Sequence, residues 1–121
     1  MARVFLDANI LIDLTEKRGT ITSENLGGHK CSISPLSVHI LFYILKKRVP
    51  FLELKTILDP FSIIDLTKNI YNEALIGPTF DFEDNVQLHS AAEADCDIFL
   101  TNDKNLLKLK FFGKARILSS L

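Results

Sequence analysis

The sequence has no apolar run reaching the roughly 18 residues that a membrane-crossing helix needs. A membrane-spanning protein is therefore not expected. Its opening stretch, MARVFLDANILIDL, lacks the small-residue cleavage site of a secretory signal, so the expected location is the cytoplasm. Cysteine is scarce. Cys31 and Cys96 lie far apart, with no CxxC or Cys/His ligand spacing around either, which argues against a zinc site or a disulfide framework. Charge excess is missing too: the formal net charge is −1, and the longest basic run is Lys46-Lys47-Arg48. That excludes a binder whose affinity rests on a broad basic surface, while leaving open a nuclease that holds phosphates through metal ions and a few local cations. There is no internal repeat and no low-complexity tract. The Gly27-Gly28 pair falls in a polar segment between Gly19 and Lys30 that reads as a loop.

What is present is enough apolar material for one core. With 121 residues, 47% of them hydrophobic, a single domain spanning 1–121 is expected. Short apolar runs of strand character occur at Arg3–Leu6, Cys31–Ile33, Ser62–Asp65, Asp97–Leu100 and Ala115–Leu118. Helical stretches are predicted over Asn9–Lys17, Pro35–Lys47, Phe51–Leu58, Thr67–Leu75, Glu83–Ala94 and Lys104–Leu109. Pro35 and Pro50 suit first-turn positions, and Thr67 suits an N-cap. Strands alternating with helices imply an α/β domain with a parallel sheet covered on both faces. The 35–47 stretch has almost no polar face, so it is expected to be buried nearly all round or to pack partly on a second copy of the chain.

Ligands of open α/β sheets sit beyond the carboxyl ends of the strands. Asp7 follows the first strand directly, and Asp103 closes Leu100-Thr101-Asn102-Asp103 after the fourth. Asp84, in Phe80-Asp81-Phe82-Glu83-Asp84, opens the helix leading into that fourth strand. Each acid has a local alternative as a helix cap, a turn residue or a first-turn acid. Jointly they suggest an acidic crevice, because ionised carboxylates gathered together repel and need a cation. Oxygen-only ligation suits Mg²⁺ or Mn²⁺.

Val4-Phe5-Leu6-Asp7-Ala8-Asn9-Ile10-Leu11-Ile12-Asp13 resembles the opening motif of PIN domains, the fold of many toxin ribonucleases from toxin–antitoxin pairs. Ser34-Pro35-Leu36-Ser37, Asp81-Phe82-Glu83-Asp84 and Phe99-Leu100-Thr101-Asn102-Asp103 resemble the next three blocks, in the family's order and over nearly the whole chain. The resemblance implies a three-layer α/β/α domain with strand order 3-2-1-4-5. It also implies a pocket for one or two divalent ions, held by Asp7, Asp84 and Asp103, with Asn9 and Thr101 hydrogen-bonding around them.

Two departures stand out. The family's second block supplies an acid about six residues after its serine, and here Ile40 stands there. His39 is a poor substitute, since one residue along a helix turns the side chain by about 100°. His89 reads as a surface or packing residue, and Glu83 is a candidate to turn inward. The second departure is the short, polar Lys17–Lys30 stretch, where many members place another helix.

The resemblance implies a Mg²⁺- or Mn²⁺-dependent endoribonuclease acting on single-stranded RNA, which in such pairs has a small antitoxin protein as partner; the apolar 35–47 helix is compatible with a homodimer. The alternative, motivated by Ile40, is an inactive PIN scaffold binding RNA or a protein. A haloacid-dehalogenase-type phosphatase fits poorly, because it wants a second aspartate where Asn9 stands. A phosphorylated receiver domain wants a lysine where the fifth strand runs into Ser119-Ser120-Leu121.

Overall fold

Strand β1 (Arg3–Leu6) buries Val4, Phe5 and Leu6 completely, as a strand covered on both faces must. Successive strand side chains point to opposite faces. Val4 and Leu6 accordingly join one apolar cluster with Leu11, Ile33 and Leu41, while Phe5 joins another with Leu88, Phe99, Leu106 and Ile117. These two clusters are the two interlayer cores of an α/β/α sandwich. Phe5 stacks on Phe99 with ring centroids 5.5 Å apart, tying the centre of the sheet to its neighbouring strand.

The computed structural model describes residues 1–121. After β1 come α1 (Ala8–Thr15), α2 (Ser23–Leu26), β2 (Lys30–Ile33), α3 (Pro35–Leu45), α4 (Leu52–Leu58) and β3 (Ser62–Ile63). The second half holds α5 (Lys68–Ala74), α6 (Phe82–Glu93), β4 (Ile98–Leu100), α7 (Lys104–Leu107), β5 (Phe111–Phe112) and β6 (Ala115–Leu118). Side chains of α1, α3 and α4 cover one face of the sheet, and those of α6 and α7 the other. Helix α5 packs on α6 through Ile70, Ala74 and Val86. No helix is long and apolar enough to cross a membrane.

The strands run in the order β3-β2-β1-β4-β6-β5. The parallel strands follow the expected 3-2-1-4-5 sequence, with β6 as the fifth. The expected order needs correcting at the edge, where β5 adds an antiparallel strand beyond β6. Its two-residue connection starts with Gly113 at φ +59°, a conformation that glycine adopts without Cβ strain and that matches the right-handed twist of a hairpin.

Three further expectations are corrected. The 19–30 segment is not all loop. Thr22 accepts from Asn25 N, and Asn25 Oδ1 accepts in return from Thr22 N, so a capping box starts the short α2. Pro50 lies just before the N-cap of α4, outside its first turn. Helix α3 is not buried nearly all round: Ser37 and Leu41 are fully buried, whereas Tyr43 is 81% exposed and Ile44 55%. It sits in an outer layer with one face toward α1 and the sheet, which leaves its far side in solvent. Pro35 at the first turn, Ser34 as the α3 cap and Thr67 as the α5 cap stand where the sequence suggests.

Candidate functional site

Asp7 and Thr101 stand at the carboxyl ends of adjacent parallel strands. The ladder continues past β1 and β4 through Asp7 N to Leu100 O and Thr101 N to Leu118 O, each at 2.9 Å, so both residues are rigidly placed. Asp7 is 5% exposed and its carboxylate is divided in use. Oδ1 accepts from Ala8 N at 2.9 Å and caps α1; Oδ2 accepts from Thr101 Oγ1 at 2.7 Å, with Asn9 Nδ2 at 3.4 Å. Thr101 Oγ1 also accepts from Asp103 N at 3.0 Å, so one hydroxyl ties together two of the expected acids.

Asp103 repeats the pattern. Its Oδ1 accepts from Asn105 N at 2.8 Å and Leu106 N at 3.3 Å, capping α7. Asp84 is released from capping because Asp81 Oδ1 takes that role, accepting from Asp84 N at 2.9 Å. Capping and site-building are therefore not alternatives for Asp7 and Asp103: one carboxylate oxygen does each.

The acids converge. Asp7, Asp84 and Asp103 line a single cleft of about 190 Å³ together with Glu83, Asn9, Gln87 and the apolar residues Ala8, Ile12, Ile40 and Ile44. Ile40 lines this cleft, and so does Glu83, which is exposed. His39 is exposed and does not line it. His89 is a packing residue, with Nε2 2.9 Å from Gly77 O and its ring edge-on to Phe112. Larger hollows of about 420 and 450 Å³ lie around 23–31 with 56–61 and around 14–24. They gather no group of acids, and the chemistry favours the smaller cleft.

Electrostatics bear out the crowding. Burial pushes the Asp84 carboxyl up to about 7, and the charges of Asp81, Asp7, Asp103 and Glu83 add to the rise. Burial also raises Asp7, against the hydrogen bonds from Thr101 and Ala8 that favour its ionised form. As they stand, no three carboxylates, thiols or imidazoles are close enough to share an ion. Asp84 and Asp103 are only partly buried and Glu83 is exposed, so rotation of those side chains is needed to close a cage around one. The available donors are all hard oxygens: Asp7, Asp84, Asp103, Glu83 and the unpaired carboxamide oxygen of Gln87. Such a set fits Mg²⁺ or Mn²⁺ in type, and it carries no nitrogen or sulfur ligand.

Three residues of this site were not singled out in the sequence. Asn85, 3% exposed, donates through Nδ2 to Ala74 O at 2.8 Å and Thr79 O at 3.0 Å, and accepts from Thr79 N at 2.8 Å. It fastens the α5–α6 connection to the first turn of α6 and so fixes where Glu83 and Asp84 start. Gln87 and Ser37 form a fully buried pair, Nε2 donating to Oγ at 2.6 Å, between α6 and α3. The one signal the sequence offered is spacing: Gln87 falls one helical turn after Asp84.

No protein-family model matches the sequence, and comparison with curated proteins finds no match either. Comparison with solved structures does. The chain aligns with one in the VapBC2 structure from Rickettsia felis, solved bound to a DNA fragment from their promoter, with a TM-score of 0.70. The alignment covers 96% of this chain and 97% of that one at 19% identity. The fold is PIN-like. On a PIN-like frame the acidic cleft lies at the carboxyl edge of β1 and β4, and part of its lining is an isoleucine wall, Ile12 from α1 with Ile40 and Ile44 from α3.

Proposed function

We propose that this chain is a metal-dependent endoribonuclease that cuts single-stranded RNA, of the kind that serves as the toxin of a toxin–antitoxin pair. The observation that carries this reading is the convergence of Asp7, Asp84 and Asp103, from three separate segments, on one cleft. The likeness to the Rickettsia felis VapBC2 structure supports it at the level of fold. Asp7, Asp84 and Asp103 would hold Mg²⁺ or Mn²⁺, with Glu83 within reach. The chemistry such an ion supplies is acidification of water and neutralisation of charge on the scissile phosphate. The chain's own part is orientation: Thr101 and Asn9 hold Asp7 Oδ2 in place, while the α1 and α7 caps lock one oxygen each of Asp7 and Asp103. A small antitoxin protein is the proposed partner. Exposed Tyr43 on α3 is the proposed contact of a homodimer.

The second reading, an inactive scaffold, rests on Ile40 lining the cleft where a fourth acid is expected. A Mn²⁺-titrated RNase assay on the parent, Asp7→Asn and Ile40→Glu separates them. Asparagine caps helices as well as aspartate, so Asp7→Asn keeps the α1 cap while removing the charge. The nuclease reading expects cleavage by the parent and its loss in Asp7→Asn. A silent parent awakened by Ile40→Glu would instead establish an attenuated site, and cleavage unchanged in Asp7→Asn would refute the assignment.

A further inference from the structure

One buried polar side-chain atom in the chain has no hydrogen-bond partner, Gln87 Oε1. Leaving a carboxamide oxygen buried and unpaired is costly, and such atoms in native folds mark strain, a catalytic role, or a bound water or ion. The position of Gln87 favours the ion. It sits on α6 one helical turn after Asp84, on the same helix face, and lines the same cleft as Asp7, Asp84, Asp103 and Ile40. Its other arm is spoken for: Nε2 donates at 2.6 Å to Ser37 Oγ, which is fully buried on α3 one turn before Ile40. That hydrogen bond sets the plane of the carboxamide and leaves Oε1 without a partner.

We propose that Gln87 Oε1 is an oxygen ligand of the divalent ion in this cleft, supplying a donor on the side where Ile40 has displaced the fourth acid. The inference rests on the metal-site reading of Asp7, Asp84 and Asp103. A carboxamide oxygen is a hard donor of the type Mg²⁺ and Mn²⁺ accept, but it is neutral. Gln87 thus restores a ligand without restoring the lost negative charge. The result is a site with a full complement of oxygens and a lower affinity than a four-acid pocket.

The test is Mn²⁺ binding to the full chain, measured by the electron paramagnetic resonance signal of free Mn²⁺, on the parent, Gln87→Met, Gln87→Glu and Asp7→Asn. Methionine matches the length of glutamine and removes the oxygen; glutamate keeps the oxygen and adds charge. Loss of a metal-site partner typically weakens affinity on the order of tenfold or more, which is the expectation for Gln87→Met. Gln87→Glu should bind more tightly than the parent. Circular dichroism melts in chelator establish that each variant folds. Should Gln87→Met not fold, Gln87→Glu decides alone, and affinity equal to or below the parent's overturns the role of Gln87. A parent that binds Mn²⁺, an Asp7→Asn that does not, and a Gln87→Met equal to the parent overturn this inference only. A parent that binds no Mn²⁺, or an Asp7→Asn that binds like the parent, overturns the metal reading itself and this inference with it.

Discussion

At the scale of the residue, the site is a set of shared carboxylates. Asp84 has the least hydrogen-bonding support and the most neighbouring charge, so its carboxyl stays protonated up to about pH 7 in the folded chain. In the unfolded chain it ionises near 3.9. Between those values the folded state holds the extra proton. Stability of the metal-free protein therefore falls as pH rises across that window, with the full loss present above about 7. The raised Asp7 acts in the same direction. In chelator, the parent should melt at a lower temperature at pH 8 than at pH 5, and Asp84→Asn should flatten that slope. A slope of the same size in Asp84→Asn would show that the strain lies elsewhere. Asp7, Asp84 and Asp103 were legible from sequence because each directly follows a strand or opens a helix. Gln87, Ser37 and Asn85 were not, because a buried polar residue inside a helix is distinguishable from an exposed one only once the neighbouring helix is in place.

At the scale of the element, helix α6 carries Asp84 in its first turn, and Asn85 fastens that turn to the α5–α6 connection. Asn85→Ala would leave Ala74 O and Thr79 N without their partners inside the protein, each such loss costing about 1–3 kcal/mol when the group stays buried. Thermal melts should show that destabilisation, and on the proposed nuclease reading RNase activity should fall further than stability explains, because Glu83 and Asp84 lose their anchor. A variant with parental stability and activity would remove Asn85 from this role. Helix α3 shows the limit of pattern reading. Its apolar residues go nearly all round, which signals complete burial, yet Tyr43 stands in solvent because α3 occupies an outer layer. Hydrophobicity records what a helix can bury, and the number of neighbours records what it does bury. The short α2 and the edge strand β5 escaped notice for a related reason. Neither carries a hydrophobic pattern of its own, and each rests on a local device: the Thr22–Asn25 capping box and the turn at Gly113.

At the scale of the whole molecule, the fold was the most legible feature, because β1 is apolar throughout and a parallel sheet covered on both faces demands that. The Phe5–Phe99 stack joins the two central strands on one side of the sheet. Phe5→Ala, at a completely buried position, should cost about 3–5 kcal/mol, read as a lower denaturant midpoint. A loss below about 1 kcal/mol would mean that the second core layer closes the gap by repacking.

The isoleucine wall has a consequence of another kind. Ile12, Ile40 and Ile44 line the cleft with Asp7 and offer no polar group to it. Buried charges are screened by salt much less than exposed ones, whose influence fades over about 8 Å at physiological ionic strength. The field of the buried Asp7 therefore depends less on salt than that of the exposed Asp81. An apolar lining beside a buried carboxylate thus gives the cleft less charge, but a field less sensitive to the surrounding electrolyte.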